Sequence, residues 1–240
     1  MSILNLETLK RNGCVLWWSG TVATSGTYDD DGNKQGFLIL PDGVTVTPSG
    51  TFTTVKGKDG ITYLKFDGST NYVSLSNHAN FDIGVSNSPF TICGWVKLNS
   101  DDHMIICRGG GFDAFNSTTG YQYLLDLFPA SNAYWQWWTG SAQGAIAFSP
   151  SLLVTGTWKF LTIVYDGTTT TIYVDLVFVV SATSTYVKPS SSQYTRVGAS
   201  VRQSQLDYPT NGNIKDLMIF KGKALDTNQI GAIMEETYIY

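Results

Sequence analysis

Charged residues are scarce in this 240-residue chain, at 14% of the sequence, and the formal net charge is only -4. No segment concentrates lysine and arginine, so the sequence offers no basic surface of the kind that follows a phosphate backbone. No apolar run approaches the roughly 20 residues that a membrane-spanning helix needs. The sequence therefore predicts neither a nucleic-acid partner nor a membrane partner.

Cysteine and histidine are also rare, with three Cys and two His in the chain. Cys14, Cys93 and Cys107 are odd in number and widely spaced, which suits neither a disulfide framework nor a zinc ligand set. Glu7 and Lys10 stand where a secretory signal peptide would have its apolar segment. These features predict free thiols and synthesis in a reducing cytoplasm.

Short strand-like runs, separated by clusters of Gly, Asn, Asp, Ser and Thr, recur along the whole chain. In residues 159–166 apolar side chains fall on both faces of the predicted strand, so we expect it between two layers. The turn at 166–169 predicts a hairpin to the next strand. One helix is predicted near the C-terminus, with Asp226 as its N-cap and Gln229 as its capping-box partner.

Several segments follow one another in the order of landmark motifs of a known superfamily. They are FDGSTNYV at 66–73, FTICGWVK at 90–97, GTWKFLTIVYDG at 156–167, IYVD at 172–175, RVG at 196–198 and GNIKDLMIF at 212–220. In these segments the chain resembles the concanavalin A-like lectin/glucanase superfamily, specifically its laminin-G-like jelly-roll modules. The family pattern usually has Gly after the Asp of the IYVD turn, and this sequence has Leu176.

The resemblance implies an all-β fold, namely an antiparallel two-sheet jelly-roll sandwich with one short C-terminal helix. We expect a single laminin-G-like domain over residues 1–240. The best match covers 60–236, and residues 1–59 supply N-terminal strands and loops.

Two tryptophans in the matched segments are expected in the core. Trp95 and Trp158 alternate with small or polar residues inside predicted strands, which favours burial against the facing sheet. Ile163 and Val174 are expected in the same core.

The superfamily includes glucanases, which resemble one another in presenting two Glu around an Asp on one strand, so that all three face the cleft. This chain has Glu only at Glu7, near its start, and at Glu235 and Glu236, at the end of the predicted helix. His78 and His103 lie in loop-like sequence, without the Gln-X-His triplet of similarly shaped lyases, and are interpreted as surface histidines. The sequence predicts no catalytic residues and hence a protein that is not an enzyme.

The most unusual segment is the aromatic run YWQWW that begins at Tyr134. On a strand, Trp135 and Trp137 point to one face, and Tyr134, Gln136 and Trp138 point to the other. The first row can fill the core, so the second row is the predicted ligand- or partner-binding surface. Three roles remain open for it: a platform for sugar rings, a protein–protein contact, or plain core.

A separate segment offers oxygen ligands for calcium. Asp29, Asp31 and Asn33 lie around a Gly turn, and many modules of the superfamily bind calcium through such loop oxygens. The spacing is not that of an EF-hand, because the Asp residues are consecutive and no Glu follows at the twelfth position. A calcium site and an ordinary solvated acidic turn both remain open, and no other cofactor is expected.

Two functions from different classes fit the sequence. The first is a non-catalytic, lectin-like virion structural protein of a bacteriophage, as a capsid decoration or a tail or fibre component. Such a protein assembles in the host cytoplasm, with copies of itself and other virion proteins as partners and a surface glycan as a further ligand. The second is a carbohydrate-binding or adhesin module of a bacterium, outside the cell or on its surface. Low charge, aromatic richness and the absence of a signal peptide favour the virion.

Overall fold

The structure is a computed structural model, and it describes residues 6–19, 27–28, 34–35, 37–56, 62–99, 103–109, 121–127, 132–149, 152–189, 194–202 and 205–238. Its strands are β1 (Cys14–Trp18), β2 (Thr27–Tyr28), β3 (Lys34–Gln35), β4 (Phe37–Ile39), β5 (Val46–Ser49), β6 (Thr53–Lys56), β7 (Thr62–Asp67), β8 (Tyr72–Leu75), β9 (Phe90–Leu98), β10 (His103–Arg108), β11 (Tyr123–Leu127), β12 (Ala133–Trp138), β13 (Gln143–Phe148), β14 (Lys159–Tyr165), β15 (Thr169–Val174), β16 (Val177–Thr183), β17 (Thr195–Val197), β18 (Ser200–Arg202), β19 (Gln205–Asp207) and β20 (Asn211–Lys221). Its helices are α1 (Leu6–Arg11), α2 (Thr227–Glu236) and a 3-10 turn (Ala79–Phe81).

Two antiparallel sheets contain most of these strands. The first has nine strands, in the order β16-β15-β14-β9-β20-β1-β4, with β7 joined to β20 and β6 joined to β7. The second has seven, in the order β13-β12-β11-β10-β17-β8-β5. The predicted two-sheet antiparallel sandwich with a short C-terminal helix is confirmed, and α1 is a second short helix that the sequence analysis did not anticipate.

The main core lies between the two sheets and is built from alternate residues of each strand. Ile163 and Val174 are buried there, as predicted, on the first sheet. Trp135 and Trp137 of β12 face them from the second sheet, which confirms the inward row of the aromatic run. The Trp135 indole nitrogen donates a hydrogen bond to the Tyr186 hydroxyl at 2.7 Å, so this large side chain is buried with its polar atom satisfied.

The first sheet also buries its outer face, beneath the C-terminal helix. Trp95 packs there with Phe160, Ile230 and Ile233, and its indole nitrogen donates to the Thr237 hydroxyl at 2.8 Å. The prediction that Trp95 is buried is confirmed, but the prediction that it packs against the facing sheet is wrong. Both faces of β9 are covered, and the alternation of side chains along the strand places Trp95 on the outer face.

The prediction that Trp158 lies in the core is wrong. It precedes β14, is only partly buried, and packs on the outer face with its ring in an edge-to-face contact 6.1 Å from that of Tyr63. Because Trp158 lies just before β14 and packs with the outer cluster near Tyr63, it is not enclosed between the two sheets.

Local sequence signals set the turns and the cap as predicted. Asp226 caps α2, and its carboxylate accepts from the Gln229 backbone while the Gln229 side chain accepts from the Asp226 backbone. Residues 166–169 form the β14–β15 hairpin, in which an Asp166 oxygen accepts from the Thr168 and Thr169 backbone at 2.8 Å each. These backbone hydrogen bonds lower the pKa of Asp166. Leu176, which stands where the family has Gly, adopts a left-handed φ of 66°.

All three cysteines, Cys14, Cys93 and Cys107, are free and buried. Burial raises the pKa of the Cys14 and Cys93 thiols above the usual range, so both are held as protonated, apolar core groups. Within the described ranges, no helix is long and apolar enough to cross a membrane.

Gly198 should be a strong determinant of the packing between β17 and β7. An added Cβ would lie 2.0 Å from a Phe66 ring carbon, and φ is +90°. Gly156 has a similar φ of +74° with open space around it, which makes it a matched control. We expect Gly156→Ala to cost about 1–2 kcal/mol for the left-handed backbone alone, and Gly198→Ala to cost roughly 1–3 kcal/mol more from the clash. Urea midpoints of the two variants measure this difference, and equal midpoints would show that Phe66 moves aside freely.

Candidate functional site

The predicted binding row of β12 is more covered than the sequence suggested. Tyr134 and Gln136 are partly buried in mid-strand, but Trp138 is only 6% exposed. The expectation that Trp138 forms part of an exposed row is therefore wrong. Trp138 is the last residue of β12. Its backbone N–H donates to the Gln122 carbonyl at 3.0 Å, and its carbonyl accepts from the Val187 N–H at 2.8 Å, so the segments that contain Gln122 and Val187 meet at this residue.

The remaining part of the row has small neighbours on the adjacent strand. Ala147 lies opposite Tyr134, and Ala145 lies opposite Gln136, and both alanines are exposed. The Gln143 side-chain amide donates to the Gln136 side-chain oxygen. Because methyl groups do not screen it, part of the Tyr134 ring faces outward. A binding role for Tyr134 and Gln136 stays a prediction.

A small cavity lies between the two sheets, among residues that the structure describes. A cavity lined by Ile92, Val96, Leu125, Ile163 and other apolar residues of both sheets measures about 10 Å³. That volume is at or below what a single water molecule needs. This cavity is therefore too small for a ligand.

A groove of about 440 Å³ lies at one end of the sandwich, beside the edge of the first sheet. Its floor is formed by apolar residues of β1, of β4 and of the segment just after β4. Polar side chains line the rest of the groove. The apolar members are Cys14, Val15, Ile39, Leu40 and Pro41, and the polar members are Lys10, Asp42, His78 and Asn80. The volume of the groove lies in the range that ligand pockets in proteins commonly have.

The polar side chains of the groove include donors and an acceptor. His78 accepts from the Asn80 backbone N–H through Nδ1 at 3.1 Å, so its neutral ring carries the hydrogen on Nε2. Lys10 carries a positive charge and lies 3.6 Å from Glu7, in an exposed pair of the kind that contributes little energy. Asp42 is an exposed carboxylate that can accept hydrogen bonds. Because the Lys10–Glu7 pair is exposed and weak, a ligand group can replace Glu7 beside the Lys10 ammonium.

The wall of the groove that contains His78 and Asn80 is fixed by a buried arginine. Arg108 of β10 has no exposed surface, and its Nε and Nη2 atoms donate to one oxygen of Asp82 at 2.7 and 2.5 Å. The same guanidinium donates to the Asn77 side chain at 2.9 Å and to the His78 carbonyl at 3.1 Å. The loop 77–82 is thereby tied to the second sheet through charge-assisted hydrogen bonds.

Two lysines add to the positive charge around this loop. Lys188 lies 2.7 Å from the second oxygen of Asp82, and Lys221 donates to the Ala79 carbonyl at 2.6 Å. Partial burial lowers the pKa of Lys221; Asp82 opposes this shift, and the charges of Arg108 and Lys188 add to it. Three cations therefore gather around one carboxylate, next to the groove.

The structure also places the other residues singled out in the sequence. Asp29, Asp31 and Asn33 lie outside the described residues, between β2 and β3, so the predicted calcium site stays a prediction. Among the side chains that the structure describes, no three His, Cys, Asp or Glu form a metal-binding group. His103 is fully buried, with Nδ1 accepting from the Asn211 backbone at 3.0 Å, so its interpretation as a surface histidine is wrong. It is the first residue of β10, and the Asn211 backbone at the start of β20 packs against its ring.

Sequence reasoning missed the groove. The residues that line the groove come from three separate segments of the chain, at 10–15, 39–42 and 78–80. These segments share no spacing that could link them. A weak local signal existed at His78, whose position two residues before Asn80 suits a side chain that caps a 3-10 turn.

The fold and the surface groove define a class of protein, the lectin-like jelly-roll sandwich. A laminin G family model, described as the concanavalin A-like lectin/glucanases superfamily, matches residues 67–231, more than half of the chain. The chain therefore belongs to this superfamily, which confirms the resemblance seen in the sequence. No curated protein matches the sequence.

Solved structures with the same fold include clostridial toxin binding domains. The binding domain of Paraclostridial Mosquitocidal Protein 1 is 11% identical, with a TM-score of 0.66, covering 95% of this chain and 53% of its own. Botulinum neurotoxin type C, whose cell entry depends on interaction with two ganglioside molecules, is 14% identical, with a TM-score of 0.63 and coverages of 98% and 53%. The binding domain of botulinum neurotoxin DC, in complex with rat synaptotagmin II, is 15% identical, with a TM-score of 0.62 and coverages of 94% and 52%. This chain spans about half the length of these neighbours, and at such identities the likeness concerns the fold.

The Arg108–Asp82 pair should be essential for the groove wall and for stability. Asp82→Asn leaves the buried guanidinium without its counter-charge, and we expect it to lower the free energy of unfolding by about 3–5 kcal/mol. Asp42→Asn, at an exposed carboxylate of the same groove, is the matched control and should change it by less than about 0.5 kcal/mol. Chemical denaturation of both variants measures the effect. A similar midpoint for Asp82→Asn and the original chain would contradict this role.

Proposed function

We propose that this chain is a non-catalytic, lectin-like binding module and that its ligand site is the groove beside His78. The observation that carries the proposal is the convergence of Lys10, His78, Asn80 and Asp42 around an apolar floor in a groove of about 440 Å³. The volume suits one or two sugar rings rather than a protein segment.

The chemistry of the groove favours a carbohydrate with a carboxylate group. The C–H face of a sugar ring can lie on Val15, Leu40 and Pro41, and its hydroxyl groups can pair with Asp42 and Asn80. Lys10 supplies a positive charge at the rim, and the cations around Asp82 add to the attraction for an anion. A neutral sugar would leave this positive field unused.

The residues of the groove suit binding better than hydrolysis. Glycoside hydrolysis commonly uses a pair of carboxyl groups that flank the scissile bond. Asp42 is the one carboxylate among the described lining residues, Glu7 beside the groove is paired with Lys10, and Glu235 and Glu236 lie at the end of α2. The imidazole Nδ1 of His78 is already occupied by a backbone hydrogen bond.

The structural neighbours support a receptor-binding function of this general kind. One of them interacts with gangliosides, which are glycolipids, and another binds a protein receptor. Since the chain corresponds to about half of each neighbour, these ligands belong to the longer proteins, and the ligand proposed here rests on the groove.

A glycan array that contains neutral and carboxylated sugars, followed by calorimetry on the best ligand, tests the site. We expect a carboxylated sugar to bind and Lys10→Ala to weaken its binding by tenfold or more, because a hydrogen bond to a charged group contributes about 1.5–3 kcal/mol. Lys56→Ala removes an exposed lysine of β6 outside the groove and should leave the affinity unchanged.

A second pair of variants separates the groove from the row on β12. His78→Ala should weaken binding, whereas Tyr134→Ala should not. Loss of binding in Tyr134→Ala, with Lys10→Ala and His78→Ala unaffected, would contradict the groove and assign the ligand to Tyr134 and Gln136.

We further propose that the module is a structural part of a virion, as a capsid decoration or a tail or fibre component of a bacteriophage. The low charge and the three buried free thiols support assembly in a reducing cytoplasm with other virion proteins and with copies of the same chain. The alternative is a carbohydrate-binding or adhesin module on a bacterial surface, which the same groove would serve.

Mass spectrometry of purified particles decides between these two locations. The virion proposal expects peptides of this chain in particles at a fixed ratio to the major coat protein. Peptides found in the surface fraction of uninfected bacteria, and missing from particles, would assign the protein to the bacterial surface instead.

A further inference from the structure

His78 is the groove residue whose type of side chain titrates between pH 5 and pH 8. Lys10 and Asp42 line the same groove, and side chains of these two types ordinarily titrate outside this interval. Burial raises the pKa of the Cys14 thiol, so this lining residue also keeps one protonation state. A change in the charge of the groove near neutral pH is therefore expected at His78.

The neutral form of His78 holds the turn that follows it. His78 is the N-cap of the 3-10 turn, and its Nδ1 atom accepts from the Asn80 backbone N–H at 3.1 Å. Protonation adds a hydrogen to Nδ1, which converts this acceptor into a donor and breaks the hydrogen bond. The charged ring must then turn away from the Asn80 N–H, and the groove that it lines is the open space beside it.

Cations lie on several sides of His78. Arg108 donates to the His78 carbonyl at 3.1 Å, and Lys221 donates to the neighbouring Ala79 carbonyl at 2.6 Å. Lys10 lines the same groove. A positive charge on the imidazole is therefore repelled by its neighbours, and carboxylates must compensate it.

Most of the carboxylates near the imidazole are already paired. Asp82 is shared by Arg108, at 2.5 Å, and Lys188, at 2.7 Å, and Glu7 lies 3.6 Å from a lysine. Among the groove residues that the structure describes, this leaves the exposed Asp42. A ligand carboxylate adds a counter-charge and attracts an imidazolium more strongly than a neutral imidazole. By linkage, protonation of the imidazole strengthens ligand binding, and ligand binding promotes protonation.

We propose that His78 makes the groove a pH-sensitive site, which binds a carboxylated sugar more tightly as the pH falls from 8 to 5.5. On binding, His78 takes up a proton from the solvent at Nδ1, releases the Asn80 N–H and pairs with the sugar carboxylate. The loss of the cap accompanies protonation with or without the ligand, so the added charge pairing sets the direction of the change. This inference rests on the proposed function and names the residue that regulates it.

Calorimetry with glucuronate as the carboxylated probe, and with glucose as the neutral probe, tests the direction of the change. At constant ionic strength we expect glucuronate to bind about tenfold more tightly at pH 5.5 than at pH 8, because a hydrogen bond to a charged donor is stronger than one to a neutral donor. Repeating the measurement in buffers of different ionisation enthalpy should show proton uptake on binding. Glucose should show no such change with pH.

Two variants assign the effect to its residue. Asn is a favoured N-cap residue that does not titrate, so His78→Asn should keep the turn and bind glucuronate with one affinity at both pH values. Lys10→Ala should weaken binding at both pH values and keep the ratio between them. A pH dependence that survives in His78→Asn would assign it to another group, such as Lys221, whose pKa is lowered by partial burial, and would overturn the proposal.

NMR titration of the imidazole resonances gives a direct measurement, because the chain has two histidines and the other, His103, is fully buried. The His78 midpoint should rise with glucuronate and not with glucose, and the Asn80 amide resonance should follow the same midpoint. An unfolding midpoint of His78→Asn equal to that of the original chain at pH 8 will show that this variant folds.

The outcomes separate this inference from the proposed function. Glucuronate that binds in the groove, as shown by its loss of affinity in Lys10→Ala, but binds equally at both pH values would overturn the pH-sensitive site alone. An unchanged His78 midpoint in the glucuronate complex would do the same. A chain that binds glucuronate at neither pH value would overturn the proposed ligand and this inference together.

Discussion

The burial of the Arg108 guanidinium is the constraint on which the candidate site depends. A charge with no access to water must be matched by a counter-charge and by hydrogen bonds in fixed directions. Asp82 supplies the charge, and Gln122, Thr195 and Asn77 accept further hydrogen bonds from Nε, Nη1 and Nη2, respectively. Because these partners come from the second sheet and from the loop beside it, the guanidinium fixes that loop, and the loop in turn positions the imidazole and amide that line the groove.

The second constraint is that the central strands β9, β14 and β20 of the first sheet are buried on both faces. Its inner face packs on the second sheet, and its outer face packs under α2 and, beside β1, against Leu9 of α1. The outer layer contains polar anchors as well: Trp17 donates to Asp216 at 2.8 Å, and Lys215 donates to the Thr237 carbonyl at 2.9 Å. The helix is therefore held by apolar contact and, at its C-terminal end, by hydrogen bonds from Trp95 and Lys215 to Thr237.

Features set by a few neighbouring residues could be predicted from the sequence. The capping box of α2, the hairpin at 166–169 and the inward row of β12 depend on local geometry and on the alternation of side chains along a strand. The same alternation indicates which residues share a face, but it is silent on what covers that face. Trp138 and Trp95 were misplaced for this reason, since a crossing segment covers one and the C-terminal helix covers the other.

The sequence by itself determined the all-β fold and its superfamily, because strand periodicity, turn residues and the order of the motifs depend only on positions along the chain. The odd number and wide spacing of the cysteines likewise indicated free thiols. Only the tertiary structure brought together the residues of the groove for which we propose a ligand. The groove joins residues of α1, β1, the chain after β4 and the loop before the 3-10 turn, and their proximity is a product of how the sheets pack.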